Sequence, residues 1–258
     1  MKTKFLAALL VLGIANYIQA ADNKVYIDQI GDRSTIAITQ DGTSNTVKGV
    51  GIAQDTNAKI YGDDTAVTIN QTGVNNMLTV GVNGGALGST NILTYSVTGN
   101  NANGTINCNN ADTGKCNQNN IGITQVGNNS TSNITVNGEN NVVTGSSTGG
   151  NNNSITVNIT GDGLTPSVTI TGGGNNATIN MTPTAGVSST GTIAITGSSN
   201  TVGITQTGGA VLGHSATLTV GGSSNTISVT QSGTAGDNLF SLQSSGSTNS
   251  YTITQTAQ

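Results

Sequence analysis

The side chains best equipped for chemistry in this chain are amides, and they recur at set distances. Gln206, Gln231 and Gln255 are spaced by 25 and 24 residues. Each closes a near copy of one stretch: Asn200 to Gly208, Asn225 to Gly233, and Asn249 to Gln255. A primary amide carries two N–H donors and one carbonyl acceptor, so like amides stacked in register bond to one another as a ladder. The chemistry on offer is mutual hydrogen bonding between repeats, with no proton transfer or nucleophilic attack.

The residue sets that catalysis requires do not assemble. His214 is the only histidine and follows the run Gly208-Gly209-Ala210-Val211-Leu212-Gly213, where it reads as a bend residue without a role. Past Asp162 a single acid remains, Asp237, so no Ser-His-Asp set is expected. Asp63 and Asp64 are adjacent, and adjacent positions of an extended chain face opposite ways, which excludes a glycosidase pair. Gly161-Asp162-Gly163 offers one aspartate where a repeated calcium site needs several. Cys108 and Cys116, the only cysteines, lack the further ligands of a zinc site. In an exported chain they are expected to form a disulfide that staples their polar loop, free thiols being the alternative. No enzyme activity, cofactor or metal is expected. A net charge of −4 and 3% aromatic residues argue against nucleic acid as a partner.

Amides at such intervals need a backbone that returns to the same place once per repeat. Self-similarity at this period marks a stacked-repeat protein. Within each unit Ile or Val alternates with Ser or Thr, the period-2 pattern of a strand with two unlike faces. Asn225, Ile227, Val229 and Gln231 share the inward face, and Thr226, Ser228 and Thr230 the outward one. A buried amide without a partner costs about 1–3 kcal/mol, and stacking turns about 4.7–4.8 Å apart removes that cost by pairing each amide with its copy.

The expected architecture is all-β: a β-solenoid with two short strands per turn of about 22–25 residues. Gln29 and Gln40 are 11 residues apart, half a 22-residue turn. From about residue 130 a shorter unit alternates with the longer one. Ile134/Val136/Gly138/Asn141, Val168/Ile170/Gly172/Asn175, Ile193/Ile195/Gly197/Asn200 and Leu218/Val220/Gly222/Asn225 share one spacing. Degraded longer units carry Val97 or Ile159 in the glutamine place. The ladder is expected to comprise Asn23, Gln29, Ser34, Gln40, Asn45, Gln71, Asn76, Asn119, Gln125, Asn200, Gln206, Asn225, Gln231, Asn249 and Gln255. Gly31, Gly42, Gly73, Gly127, Gly208 and Gly233 are expected at the turns, where glycine takes positive φ at little cost.

Composition agrees with a thin core. Only 33% of the 258 residues are hydrophobic, none is Trp, and 37 are Gly, numbers that also suit a disordered chain. The strict alternation and the presence of only two prolines, Pro166 and Pro183, favour order. Residues 1–20 read as a secretory signal: Lys2 and Lys4, an apolar run from Phe5 to Ile14, then Ile18-Gln19-Ala20. The run is too short for the ~20 apolar residues that span a bilayer. Residues 21–258 form the repeats, interrupted by the cysteine-bearing insertion at about 100–118. Most of the charge lies between residues 22 and 64, and no Lys or Arg follows Lys115.

These units resemble the curlin repeat of bacterial curli fibre subunits, S-x5-Q-x-G-x2-N-x5-Q. Ser34, Gln40, Gly42 and Asn45 match its first half in place, and Thr65, Gln71, Gly73 and Asn76 do so with Thr for Ser. Asn119/Gln125/Gly127, Asn200/Gln206/Gly208 and Asn225/Gln231/Gly233 also fit, without the closing Asn. The second-strand Gln is commonly replaced by Gly, and the cysteine loop is foreign to the pattern. The resemblance implies a secreted subunit of an extracellular amyloid-type fibre serving adhesion and biofilm matrix. Its implied partners are other copies of itself joined end to end, related fibre subunits or a nucleator, and cell or matrix surfaces. The alternative is a monomeric β-solenoid that acts as an adhesin or as a viral surface fibre protein. Ice binding through the outward Thr-x-Thr rows is a more distant reading.

Overall fold

The computed structural model describes residues 24–25, 27–28, 35–42, 44–49, 57–60, 65–73, 75–82, 90–99, 101–108, 118–126, 129, 131–149, 152–172, 174–184, 187, 189–197, 199–208, 213–222, 224–233, 238–246 and 248–257. Among these every regular element is a strand. The expected signal segment lies outside the described residues, as do Asn23, Gln29, Gly31, Ser34, Cys116 and Gly127.

Strands alternate between two parallel sheets, so each turn of chain adds one strand to each sheet. The first sheet runs β1 (Thr35–Asp41), β3 (Thr65–Thr72), β5 (Thr90–Thr98), β7 (Gln118–Val126) and β9 (Val142–Thr148). It continues through β11 (Thr165–Thr171), β13 (Ser189–Thr196), β15 (His214–Gly221) and β17 (Asn238–Ser245). The second sheet holds β2 (Lys59–Ile60), β4 (Val80–Val82), β6 (Asn103–Cys108), β8 (Thr131–Asn137) and β10 (Ser154–Thr160). It ends with β12 (Ala177–Thr182), β14 (Val202–Thr207), β16 (Ile227–Gly233) and β18 (Tyr251–Ala257). This is a β-solenoid, in which each coil contacts mainly its neighbours above and below.

Alternation along the strands sends most Ile, Val and Leu inward and most Thr and Ser outward, with Ile92, Val126, Val142 and Leu239 left on the outward face. The core is a slab between the sheets, built from residues such as Val67, Ile69, Ile106, Ile134, Val157, Ile179, Ile204 and Val229. Size is matched across the slab. A Cβ on Gly104 would lie 2.8 Å from the Tyr95 ring, one on Gly145 2.7 Å from Ile155, and one on Gly191 2.9 Å from Met181. Each of these glycines makes room for a large side chain from the facing sheet, as close packing of a narrow core requires.

Turn length varies more than the 22–25 residues expected from spacing. Asn119 and Asn141 stack at a separation of 22 residues and Gln231 and Gln255 at 24, but Gln40 and Gln71 at 31 and Asn101 and Asn129 at 28. In the longer turns the extra residues fall largely within 50–56, 83–89 and 109–117, outside the described residues. The ladders keep their register through these insertions because pairing constrains the strands on either side; around 50–56, for example, Val47 N–H bonds to the Met77 carbonyl and Lys59 stands opposite Gly81 in the same sheet.

Candidate functional site

In the first sheet the glutamine column opens with Gln40 and Gln71, which are the last but one residues of β1 and β3 and face inward. Gln71 Nε2 donates to Gln40 Oε1 at 2.7 Å and to the Met77 carbonyl at 3.0 Å, while Gln40 Nε2 donates to the Thr46 carbonyl at 3.0 Å. Each amide thus joins one coil to the next and also ties its strand to the segment that follows the bend. Val97 takes the next place, and the Tyr95 hydroxyl reaches in beside it to donate to Gln71 Oε1 at 2.6 Å. Burial drives the Tyr95 phenol above its ordinary pKa, since the ionised form would lose its hydration. Gln125 then stands between Val97 and Ser147. Its Nε2 donates to the Thr131 carbonyl at 3.0 Å, while its buried Oε1 finds no partner among the described residues.

From β14 onward the glutamines occupy the second sheet. Gln206 Nε2 donates to Gln231 Oε1 at 2.7 Å, and Gln231 Nε2 to Gln255 Oε1 at 3.0 Å. They too tie across a bend, Gln206 to the Ser215 carbonyl and Gln231 to the Leu239 carbonyl. Opposite them the first sheet carries Ile170, Ile195 and Val220. In the earlier coils of the second sheet, the glutamine place holds Cys108, Val136, Ile159 and Met181. One sheet's amide column therefore faces the other sheet's aliphatic one, and the assignment is exchanged midway along the solenoid.

Asparagines form the second kind of ladder, at the openings of the strands. Asn76 Nδ2 donates to Asn45 Oδ1 at 2.7 Å, and Asn141 to Asn119 at 2.5 Å. Asn175 donates to Asn153 at 3.3 Å and Asn200 to Asn175 at 2.6 Å; Asn225 and Asn249 continue the series, each to the asparagine below. The recurring Gly-x-x-Asn spacing has a direct cause. Asn141, Asn175 and Asn200 each donate a second hydrogen to the carbonyl of the glycine three residues earlier, at 3.1, 2.7 and 3.0 Å. An exposed row, Asn75, Asn101, Asn129 and Asn152, is linked in the same way at 2.9–3.0 Å.

Bend glycines are stacked as closely. A Cβ on Gly73 would lie 1.5 Å from the Gly42 carbonyl oxygen, and one on Gly222 1.5 Å from that of Gly197, at φ of 150° and 118°. Gly208 also has positive φ, whereas Gly233 does not; a Cβ on Gly233 would lie 3.1 Å from His214 Nε2, a tight contact.

His214 is not the idle bend residue its glycine-rich approach implies. It is the first residue of β15 and only 1% exposed. It fills the inward strand-opening place directly above Ser189, a place that Asn119 and Asn141 hold in earlier coils. Its Nε2 donates to the Ser232 carbonyl at 2.9 Å, and its Nδ1 lies 2.8 Å from Ser189 Oγ. The Ser189 hydroxyl also reaches Gln206 Oε1, so the ring is wired into the foot of the second-sheet glutamine ladder. Tyr95, Ser147, Ser189 and His214 are not legible as repeated letters, because each replaces the repeated letter at its height, while Asn153 keeps the letter but follows its bend glycine, Gly149, by four residues in place of three.

Cys108 is fully buried and disulfide-bonded, and its Sγ accepts from Asn119 Nδ2 at 3.5 Å. Among the described residues no three His, Cys, Asp or Glu side chains gather as ligands for a metal.

The last coil differs from every coil beneath it. Tyr251 and Ile253 of β18 are 48% and 42% exposed, whereas Ile227 and Val229, which they face in β16, are 1% and 0% exposed. The difference arises because no further coil covers them. Both ladders also stop here. Gln255 accepts from Gln231 and presents its own Nε2, and Asn249 donates to Asn225 and presents its Oδ1. The end face thus combines an apolar centre, one amide donor, one amide acceptor and a row of strand N–H and C=O groups. Set against known protein families, curated proteins and solved structures, the chain has no match.

Proposed function

We propose that the protein is a secreted structural subunit that polymerises end to end into a curli-like, amyloid-type fibre for adhesion and biofilm matrix. The observation that carries this is the face of β18, whose Tyr251 and Ile253 are exposed while the residues at the same places one coil below are buried. An open sheet edge of this kind is normally shortened, charged or covered, because it templates further strands. Here the exposed edge offers Ser250, Thr252, Thr254 and Thr256 and no charge. The curlin-like spacing of the amides supports the same function, as does the leader-like segment at residues 1–20 for export to the cell surface or beyond.

The test is a charge placed on the end face. Ile253→Lys should leave the β-sheet circular dichroism spectrum of the mature chain intact and stop its elongation, because each added copy would bury an unpaired ammonium. Unaltered elongation by Ile253→Lys would overturn polymerisation through this face. A chain that stays monomeric in both forms, yet binds a cell or matrix surface, would favour the monomeric adhesin.

A further inference from the structure

The first and last described segments of the solenoid lie in the same sheet. β18 is the last strand of the second sheet. At the other end, Val25 N–H donates to the Thr46 carbonyl at 3.2 Å. In this sheet Val202 N–H bonds to the Thr226 carbonyl when Val202 stands opposite Ile227, so the same geometry sets Val25 opposite Val47. Residues 24–25 and 27–28 therefore lie along the outer edge of the second sheet, ahead of β1. Lys24 and Asp28 are exposed, Val25 and Ile27 are half-buried, and Ile27 packs on the core.

This segment carries the same letters as β18. Asn23, Val25, Ile27 and Gln29 have the spacing of Asn249, Tyr251, Ile253 and Gln255. The positions between them differ: Lys24, Tyr26 and Asp28 in the first, Ser250, Thr252 and Thr254 in the second. β18 pairs with β16 along all seven of its residues.

Joining two copies with both terminal segments in place breaks the alternation of sheets. β18 of one copy and residues 23–29 of the next would be successive strands of the second sheet, and the first sheet would lack one strand between β17 and the following β1. That vacancy would strand two rows of backbone N–H and C=O groups inside the fibre, each unpaired group costing about 1–3 kcal/mol. If β18 instead takes the place of residues 23–29, both sheets continue without a gap. Phe240 and Leu242 of β17 then meet Ile36 and Ile38 of β1, and Tyr251 of β18 meets Val47.

On the basis of the end-to-end polymer proposed above, we infer that residues 23–29 are a built-in stand-in for the last strand of a second copy, and that each joining event exchanges one for the other. The occupant of the N-terminal edge in the fibre is β18 of another copy of this chain. Before joining, the segment shields that edge, and its Lys24 and Asp28 discourage strands from pairing outside it. Elongation is thus coupled to release of residues 23–29.

Cysteine pairs in the full mature chain separate the outcomes. Residues directly opposite in neighbouring strands are within the Cα separation that a disulfide spans. Tyr251→Cys chains mixed with Val47→Cys chains should give an intermolecular disulfide in the fibre. A bond between Tyr251→Cys and Val25→Cys chains in its place would show that β18 stacks on the segment, overturning the exchange and leaving the polymer standing. A wild-type chain that forms no fibre under any condition would remove the polymer and the exchange together. A second variant controls for folding: Val25→Cys with Val47→Cys in one chain pins the segment. Oxidised, it should not elongate; reduced, the same sample should elongate, with wild type taken through the same reduction. Equal elongation in both states would overturn the inference.

Discussion

Gln206 donates to Gln231 across 2.7 Å, and this bond runs toward the C-terminal end of the solenoid, whereas the 2.7 Å bond from Gln71 to Gln40 runs toward the N-terminal end. A glutamine cannot send its single carbonyl both ways, so each ladder has a direction. The asparagine ladder beside Gln231 runs the other way, from Asn249 down to Asn153. At the C-terminal face the antiparallel pair leaves one donor and one acceptor, which fixes how a following strand must orient its own amides.

Gln231 tests the ladder most simply. It is fully buried and bonds to Gln206, Gln255 and the Leu239 carbonyl. Gln231→Leu keeps the volume and loses these bonds, at a cost of about 1–3 kcal/mol. Gln231→Glu introduces a buried carboxylate that faces the Leu239 carbonyl, and should cost more at neutral pH. Its folded-state pKa is raised, so its stability should recover as pH falls and the acid becomes neutral. Urea titration of both variants at pH 7 and pH 4 checks the order; equal destabilisation at both pH values would contradict it.

Glycine at the bends can be separated from glycine in the strands. Gly222→Ala places a methyl group against the Gly197 carbonyl at φ 118° and should cost on the order of 3 kcal/mol or more. Gly122→Ala, on the outward face of β7 with nothing within 4 Å, should be neutral or should stabilise by about 0.4–1 kcal/mol. Thermal denaturation of the pair reads the contrast directly.

Tyr95 makes the fold sensitive to alkali. Its folded pKa lies above the unfolded value near 10, so its contribution is complete below about pH 10 and falls by about 1.4 kcal/mol per pH unit as pH rises toward the folded value. Tyr95→Phe leaves Gln71 Oε1 short of a donor and should cost about 1–3 kcal/mol at pH 7, while flattening the stability loss above pH 10. Denaturant midpoints between pH 8 and pH 11.5 for both chains would show whether the slope belongs to this phenol.

Much of this arrangement is legible as spacing. The inward set Asn225, Ile227, Val229 and Gln231 follows from alternation, and the pairing of Gln206, Gln231 and Gln255 from their nearly equal separations. The change of sheet midway is not legible, because a ladder moved from one sheet to the other looks the same as a ladder continued. Insertions near residues 50, 85 and 110 hide the half-turn offset that would reveal it. Tyr95 and His214 are hidden for another reason. Each supplies a hydrogen-bonding group by a different side chain at a height where the repeat fails, so periodicity registers only a gap. The equivalence of Asn23 to Gln29 with Asn249 to Gln255 is visible in the letters, but only the Val25 to Thr46 bond reveals that both belong to one sheet.

Fibre diffraction from concentrated, aged chain spanning residues 21–258 tests end-to-end growth most directly. Copies that add coil upon coil predict filaments with a meridional reflection at about 4.7–4.8 Å, the spacing of strands stacked along the fibre axis. A sample that stays at monomer mass through ageing and gives no oriented reflection at that spacing would contradict the account.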